Sequence, residues 1–430
     1  MKKNEKNLKH ESKHSQTSKN TKNLSKKVLC IIVLIVLLFL IIFFKDNFVN
    51  LFNSIFNTEI PTSSTTSIDS KSNNITDVSS SIEPITFTFT ALGDTLCHNT
   101  QYWDAYNKQT GIYDFSYVYD DIRSYTEASD ITISSLETTF AGEDRGYSNY
   151  PTFNTPDSLA TALKGIGIDI ISTAGNHALD YGYSGLCRSI DVLNNAGLSH
   201  LGTYKSAEEQ EQILIKDVKG VKIAFINYTY GTNGIPVPSG KEYCVNLIDK
   251  ELIKRQITQA KEAKVDMIVA CMHWGTEYRT TANSEQKEFA DFLFKNGVDV
   301  IIGNHPHVLE PMEKRTVSLD DGTIKDCFVV YALGNFTADQ REEITRDSAI
   351  LNLTITKNSD GKISIDKVNY VPIYMYKNKN ISTKKFKILD IEKTISEYES
   401  GQDTSIGSSV YNNLKIQLQK IRSILGNEIN

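Results

Sequence analysis

The sequence is poor in cysteine, tryptophan and proline, with six, two and nine residues among 430. Its cysteines are scattered without C-x-x-C spacing, which argues against a disulfide framework and against a structural zinc site with cysteine ligands. The chain also contains no G-x-x-x-x-G-K-[ST], H-E-x-x-H or complete G-x-S-x-G motif. These absences argue against nucleotide-driven ligation by this chain and against the enzyme classes that depend on those motifs.

Positive charge is concentrated at the N-terminus. Residues 1–27 carry a net charge of +7, and the remainder carries −13. Because phosphate contacts need clustered cations, an acidic body of this kind does not predict nucleic-acid binding. We therefore expect a basic head, an acidic main domain and no nucleic-acid partner.

A hydrophobic run follows the basic head. Residues 28–44, VLCIIVLIVLLFLIIFF, contain no polar side chain and would span about 25 Å as a helix, close to the hydrocarbon thickness of a bilayer. The alternative is a secretory signal peptide, but the run is long for one and no A-x-A cleavage site follows. The pattern favours an uncleaved transmembrane anchor. The preceding lysines place the N-terminus in the cytoplasm and the main domain outside the cell.

The rest of the chain divides by composition. Residues 58–84 include thirteen Ser or Thr and predict a flexible linker. From residue 85, apolar β-branched runs alternate with helical patterns up to about residue 376, which predicts an α/β domain with helices on the faces of a buried sheet. Asp249 and Asn283 are expected helix N-caps. The last strands alternate without helices and predict a second, antiparallel part, and residues 385–430 predict a C-terminal helical segment with a packing face.

Polar residues collect at the ends of the predicted strands. Four of the six histidines in the main domain lie there, and ligands of open α/β sheets bind beyond the carboxyl ends of the strands. A single histidine at such a place is most often a hydrogen-bonded structural residue, and that alternative stays open for each of them. Imidazole and carboxylate together suit Zn, Fe, Mn or Ni, so the set predicts a metal site with one or two ions. Its predicted ligands are Asp94, Glu137, Asn176, His273, His305 and His307.

Six motifs recur in a fixed order along this domain. They are GDTLCHNT (93–100), SSLETTF (134–140), FNTPDSLATALKGIGIDIISTAGNHALDYG (153–182), HWGTEY (273–278), GNHPHVLEP (303–311) and YALGNF (331–336). This series resembles the CapA-type proteins of bacterial capsule and poly-γ-glutamate synthesis, a branch of the calcineurin-like metallophosphoesterases. The resemblance covers about residues 87–374.

The resemblance implies a four-layer α/β/β/α sandwich with a divalent metal centre of Mn, Zn, Fe or Mg. It implies that Asp94 is the first-motif aspartate and that Glu137 is shared between ions. Asn176, His273 and His305 would serve one ion, and His307 would serve the other. The superfamily usually has a histidine two residues after the first aspartate, where this chain has Leu96, so a single ion is the alternative.

Two further residues are implied to be catalytic. His177 corresponds to the histidine beside the ligand asparagine, which in the wider superfamily donates a proton to the leaving group. The alternative is a supporting hydrogen bond from His177 to Asp180. Three substrate-binding residues are expected around the third histidine, where the alternative is packing at the edge of the core. A fourth is expected after a later strand, where the alternative is a turn. The four are Trp274, Glu277, Tyr278 and Asn335.

Three functions stay open at this point. The first is a membrane-anchored extracellular protein that acts in capsule or poly-γ-glutamate synthesis or export, with an anionic cell-surface polymer and the subunits of a membrane synthase complex as partners. The second is a metal-dependent surface phosphoesterase without a polymer role. The third is a non-catalytic partner of a membrane synthase, in which any ion only stabilises the fold.

Overall fold

The structure is a computed structural model that describes residues 83–319, 322–403 and 405–426. The predicted head (1–27), the predicted membrane segment (28–44) and all but the last two residues of the predicted linker (58–84) lie outside these ranges. Across the described ranges, no helix combines the length and the apolar character needed to cross a bilayer.

Two large sheets and a short hairpin account for the strands of the described part, numbered here in chain order. The first sheet has the order β16-β15-β14-β1-β4-β5-β6, and β13 also pairs with β1. Its strands are β1 (Ile85–Thr95), β4 (Ile131–Leu136), β5 (Ile170–Ser172), β6 (Ser199–Leu201), β13 (Asn335–Thr337), β14 (Asp347–Lys357), β15 (Ile363–Lys377) and β16 (Phe386–Asp390).

The second sheet has the order β11-β12-β10-β9-β8-β7. Its strands are β7 (Leu214–Val218), β8 (Val221–Thr229), β9 (Met267–His273), β10 (Val300–Asn304), β11 (Met312–Ser318) and β12 (Ile324–Val330). The hairpin consists of β2 (Tyr106–Asn107) and β3 (Ile112–Tyr113).

The helices connect these strands. They are α1 (Asn99–Ala105), α2 (Arg123–Glu127), α3 (Ser158–Gly165), α4 (Gly182–Asn195), α5 (Ala207–Gln210), α6 (Lys250–Glu262), α7 (Ser284–Asn296), α8 (Ile391–Ser400) and α9 (Ser408–Leu425). Short 3-10 helices lie at Ser116–Tyr119, Glu143–Arg145, Glu242–Cys244 and Glu343–Arg346.

The apolar core has a layered arrangement. Phe89 of β1 and Phe225 of β8 face each other in the cluster between the two sheets, with ring centroids 6.3 Å apart. A second cluster joins the other face of the first sheet to helices that include α3, and a third joins the other face of the second sheet to α6 and α7. Because each sheet buries both faces, its central strands read as continuous apolar runs. The chain is a mixed α/β protein, as predicted.

The predicted helix N-caps are confirmed. Asp249 accepts a hydrogen bond from the backbone N–H of Leu252, and Asn283 accepts one from the N–H of Gln286. Each carboxylate or amide oxygen satisfies a donor that the first helical turn leaves without a partner. Helix α7 then ends at Gly297 in the left-handed conformation, with φ 113°.

The predicted antiparallel pairing of the last strands is confirmed, but these strands do not form a second, separate part. Strand β14 pairs antiparallel with β1 and β15 with β14, so these strands extend the first sheet. The chain then continues through β16 into α8 and α9. Leu414, Ile421 and Leu425 of α9 are buried in the same core cluster as the strands, so this helix closes the core along the extended sheet.

Candidate metal centre

Parallel strands bring the predicted ligands to one place. β1, β4 and β5 run parallel in the first sheet, and β8, β9 and β10 run parallel in the second. Asp94 lies near the end of β1, Glu137 directly follows β4, and His273 is the last residue of β9. His305 directly follows β10. Carboxyl ends of parallel strands share one edge of a sheet, and here the edges of both sheets contribute.

The side chains form two groups that share Glu137. Glu137, His273 and His305 make up one group, and Asp94, Glu137 and His307 make up the other. Within each group the candidate ligand atoms lie within 4.8 Å of one another, and all five residues are buried. Either group therefore has the residue types and the size of a site for one divalent cation.

Direct distances tie the two groups together. His273 Nε2 lies 3.7 Å from Glu137 Oε1, and His307 Nδ1 lies 3.6 Å from Glu137 Oε2. His273 Nδ1 lies 3.8 Å from Asp94 Oδ1. Asn176 also belongs here, because its Oδ1 is 2.8 Å from His273 Nε2. The structure thus brings together all six residues that the sequence predicts as ligands.

The strongest sign of a cation is the number of buried polar atoms that lack a hydrogen-bond partner. Five such atoms point into the cluster: Asp94 Oδ1, Glu137 Oε1, Glu137 Oε2, His273 Nδ1 and His305 Nδ1. Buried polar atoms are almost always paired, and leaving one unpaired costs about 1–3 kcal/mol. All five are lone-pair donors of the types that bind divalent metals. The donor set therefore fits a metal ion.

Burial also shifts the protonation of the cluster. It raises the pKa of Asp94 to about 6, partly offset by the backbone N–H of His305, and it raises the pKa of Glu137 well above the usual range, with Asp94 adding to the effect. The imidazoles shift the other way, since burial lowers the pKa of His305 to about 3 and of His307 to about 4. The histidines are thus neutral and ready to act as ligands, while the carboxylates need a positive charge to stay ionised.

The backbone at this edge is unusual. His305 and His307 adopt positive φ angles of 101° and 61°, a region that non-glycine residues seldom occupy and that concentrates at functional sites. The backbone N–H of His305 donates to Asp94 Oδ2 over 2.8 Å. Gly303 is required nearby, because a Cβ there would lie 1.8 Å from the carbonyl oxygen of Tyr331. The end of β10 is therefore in close contact with the backbone of Tyr331, and the two histidines that follow β10 belong to the cluster.

His177 lies beside the cluster and is held from both sides. Its Nδ1 is 2.8 Å from Asp180 Oδ2, and Asn233 Nδ2 is 3.3 Å from its Nε2. Asp180 also accepts the backbone N–H of Phe153 over 2.6 Å. An aspartate at Nδ1 fixes the tautomer with a proton on that atom. The Nε2 lone pair then accepts the amide N–H of Asn233.

The cluster opens into a cavity of about 1030 Å³. His177 and His307 line it, together with Glu277 and Tyr278 at its exposed rim. Tyr278 is 46% exposed, and its ring centroid lies 6.1 Å from that of His307. These two predicted substrate-binding residues are thus placed where a bound molecule would reach them.

The other two predicted substrate-binding residues lie elsewhere. Trp274 is buried in the core of the second sheet, and its Nε1 donates to the carbonyl oxygen of Tyr331 over 2.9 Å. Asn335 is buried and supports His307, with its Oδ1 3.0 Å from His307 Nδ1. Trp274 thus packs in the core, which was the alternative for it, and Asn335 supports a predicted ligand, which the sequence did not predict.

Three residues around the site are not among the predicted site residues. Tyr230 follows strand β8 and covers the cluster, with its ring centroid 4.6 Å from that of His305. Asn233 connects two predicted site residues, since its Oδ1 also accepts from Asn176 Nδ2 over 3.2 Å. His98 lines the cavity, and its Nδ1 accepts the backbone N–H of Asp339. The only signal for the first two was their place after a strand end, in the segment YGTNG.

The fold and the site together define a class: a mixed α/β protein with a buried cluster of histidines and carboxylates at the carboxyl ends of its strands. A family model described as bacterial capsule synthesis protein PGA_cap matches residues 88–340. The match covers more than half of the chain, and the chain belongs to this family.

Similar proteins agree with this assignment. The chain is 31% identical over 215 residues to the PGA biosynthesis protein CapA of Bacillus subtilis (strain 168), covering 48% of this chain and 52% of that protein. It is 26% identical over 266 residues to the capsule biosynthesis protein CapA of Bacillus anthracis, covering 60% and 62%. The matches thus span about half to three fifths of these relatives, and they confirm the resemblance to CapA-type proteins.

A solved structure is similar over part of the chain. It is the 5'-nucleotidase precursor from Thermus thermophilus, with 17% sequence identity and a TM-score of 0.39. The alignment covers 68% of this chain and 55% of that structure.

Proposed function

We propose that this protein acts in the synthesis or export of a capsule or poly-γ-glutamate polymer and that it depends on a divalent metal. Family membership supports the polymer role. The observation that carries the metal dependence is the set of five buried, unpartnered ligand atoms in the strand-end cluster. The polymer is the proposed substrate or cargo of the cavity above that cluster.

The cluster residues would be divided between two ion positions. Glu137, His273 and His305 would hold one ion, with Asn176 beside them, and Asp94 and His307 would complete a second position around Glu137. A bound ion would polarise a phosphoester or amide bond and stabilise negative charge on its oxygen. The second position lacks the histidine that the superfamily usually has two residues after the first aspartate. The proposal therefore requires only one ion.

His177 is the proposed proton carrier. The Asp180 carboxylate orients its ring and would stabilise a positive charge on it, and His177 lines the cavity. A histidine held this way gives a proton to a leaving group or takes one from a nucleophile. Tyr278 and Glu277 at the rim would contact the polymer on either side of its reacting bond.

The proposed location is the outer face of the cell membrane. The apolar segment 28–44 supports an anchor, and the lysines before it support a cytoplasmic N-terminus. A polymer-synthase complex in the same membrane is the proposed protein partner.

A metal-dependent phosphoesterase without a polymer role is the second candidate. The observation that favours it is the shared Glu137 between two ligand groups, because paired ions suit phosphoryl displacement. A third candidate, a non-catalytic partner of the synthase, is favoured by the net charge of −13 outside the N-terminal head, which repels a free polyanion.

One experiment separates these candidates. The full chain, purified in detergent without chelators, is assayed with p-nitrophenyl phosphate, bis-p-nitrophenyl phosphate and poly-γ-glutamate, alongside His305→Ala and His177→Ala. Cleavage of the polymer that both variants lose supports the proposal. Cleavage of the phosphoesters alone supports the second candidate. Equal rates in all three proteins, at the level of buffer, support the non-catalytic role.

A further inference from the structure

We infer that a cationic cleft beside the metal cavity binds an extended chain that carries repeated carboxylates, and that Arg341 and Lys379 are its contact cations. This inference rests on the proposed function and adds a binding site to it. The cleft has a volume of about 610 Å³ and lies between the 3-10 helix that precedes β14, the end of β15 and the start of α9.

The charge lining this cleft is opposite to that of the domain. Its cations are Arg341, Arg346, Lys377 and Lys379, and its one carboxylate is Glu343. Glu343 is already engaged, since its Oε1 accepts from Tyr374 Oη over 2.6 Å and from Asn413 Nδ2 over 2.8 Å. A concave surface with this excess of cations attracts anions even when the net charge of the protein is negative.

Within the described residues, two of the four cations are paired with a carboxylate, and two are not. Arg346 and Lys377 both pair with Asp339, a carboxylate that is only 7% exposed, so their heads are fixed in place. Arg341 and Lys379 are exposed, and neither forms an ion pair within the part of the chain that the structure describes. Two cations thus build the wall of the cleft, and two remain available for a ligand.

The cleft and the metal cavity share one lining residue. Arg341 lines both, together with Glu343 on the side of the cleft and Glu342 on the side of the cavity. The cavity rim also carries Glu277. A polyanion that reached the cluster without help would meet these carboxylates, so the cations of the cleft are needed to hold it across the rim.

The shape favours a single polymer chain over a membrane surface. An amphipathic surface that binds a bilayer presents apolar side chains that insert beside its basic residues. This site is concave and carries uncharged hydrogen-bonding side chains, Asn380 and Ser409, between its cations. Alternating amide and carboxylate groups of a glutamate polymer match both kinds of side chain.

The test is a binding titration with the full chain in detergent at low salt. A short fluorescein-labelled oligomer of γ-linked glutamate is followed by anisotropy for the wild type, for Arg341→Glu with Lys379→Glu, and for the milder Arg341→Gln with Lys379→Gln. The matched control is Lys222→Glu with Lys287→Glu, which makes the same charge change at exposed positions outside the cleft. We expect about tenfold weaker binding for the double reversal and a smaller loss for the glutamine pair, with the control close to wild type.

Several results would overturn the inference. One is wild-type affinity in the double reversal, and another is an equal loss in the control, which would show only a general charge effect. A third is normal binding of the oligomer by the double reversal together with weaker binding when a short-chain phosphatidylglycerol replaces the oligomer in the same titration, which would assign the cleft to a membrane. If the double reversal binds normally while His305→Ala abolishes turnover, the inference that the cleft binds the polymer is wrong and the proposed function stands. If the double reversal loses binding while His305→Ala turns over normally, the reverse holds.

Discussion

Carboxylates lie at both ends of the parallel strands, and the chain supplies counterions at one end only. At the amino ends, four aspartates each accept a backbone N–H of the neighbouring strand and pair with a lysine. They are Asp130 with Lys219, Asp169 with Lys164, Asp266 with Lys357 and Asp299 with Lys325, at 2.7 to 3.3 Å. At the carboxyl ends, Asp94 and Glu137 have histidines around them and no lysine or arginine partner in the described ranges.

Asp299 and Glu137 make the contrast sharpest, because both are buried. Burial raises the pKa of each, but Lys325 opposes the shift at Asp299, while Asp94 increases it at Glu137. The Asp299 carboxylate has all its partners, and Glu137 has two oxygens without one. A buried carboxylate needs compensation. The first therefore stabilises the fold, and we propose that the second is compensated by a bound cation.

The largest predicted effect comes from a substitution at the amino ends of the strands. Asp299→Ala removes the acceptor of the Ile268 N–H and leaves Lys325 without its carboxylate, so we expect a loss of about 3 kcal/mol in the free energy of unfolding. Urea titrations with and without EDTA measure it. The loss should be the same in both, and Asp130→Ala, at an exposed pair, should cost about 1 kcal/mol. A loss at Asp299 that depends on metal would contradict the comparison.

The next effect removes the shared ligand at the other end. A metal ion at a hundred times its dissociation constant stabilises a protein by about 2.7 kcal/mol, and Glu137→Gln should lose most of that increment. In EDTA the variant should be at least as stable as the wild type, since a neutral amide costs less to bury than a carboxylate. Thermal unfolding with added Mn²⁺ or Zn²⁺ and with EDTA checks both parts. If the variant is less stable than the wild type in EDTA but is still stabilised equally by added metal, Glu137 stabilises the fold and is not a metal ligand.

A smaller effect concerns the support of a ligand. Asn335 holds His307 through a 3.0 Å hydrogen bond, so Asn335→Ala should weaken metal binding by about tenfold. A titration in chelator-buffered metal measures the affinity. The control is Asn352→Ala, which loses a hydrogen bond from Thr90 away from the cluster and should leave the affinity unchanged. Equal affinities in all three proteins would remove His307 from the site.

The smallest effect concerns a buried carboxyl group that is neutralised by a proton, and not by a lysine or a metal ion. Burial raises the pKa of Asp347 from 3.8 to about 8, slightly offset by Lys420. The folded chain then holds a proton that the unfolded chain releases above about pH 4, so this residue makes stability fall as pH rises toward 8. Asp347→Asn should flatten that fall, as measured by urea midpoints at pH 5 and pH 8 in EDTA. An unchanged slope would mean that Asp347 is ionised in the folded state.

The sequence predicts well what depends on neighbours in the chain. Strand alternation, the caps at Asp249 and Asn283 and the motif order follow local chemistry, and the family match confirms the resemblance that the motifs carry. The strand ends also identify the six residues that meet in the cluster.

Long-range packing sets what the sequence could not predict. Strand β14 joins β1 across 260 residues or more, and no periodicity records such a pairing. Trp274 follows a ligand, yet it turns into the core because Gly303 leaves space for its ring next to Tyr331. Asn233 reaches His177 from a left-handed turn with φ 50°, a geometry that its sequence neighbours do not specify.

The most direct measurement is the metal content of the purified full chain, by elemental analysis after chelator-free purification, beside Glu137→Gln. The account predicts one or two divalent ions per chain in the wild type and a substoichiometric amount in the variant. A wild-type protein that holds no stoichiometric metal, and gains no thermal stability when Mn²⁺, Zn²⁺, Fe²⁺ or Mg²⁺ is added, would contradict it.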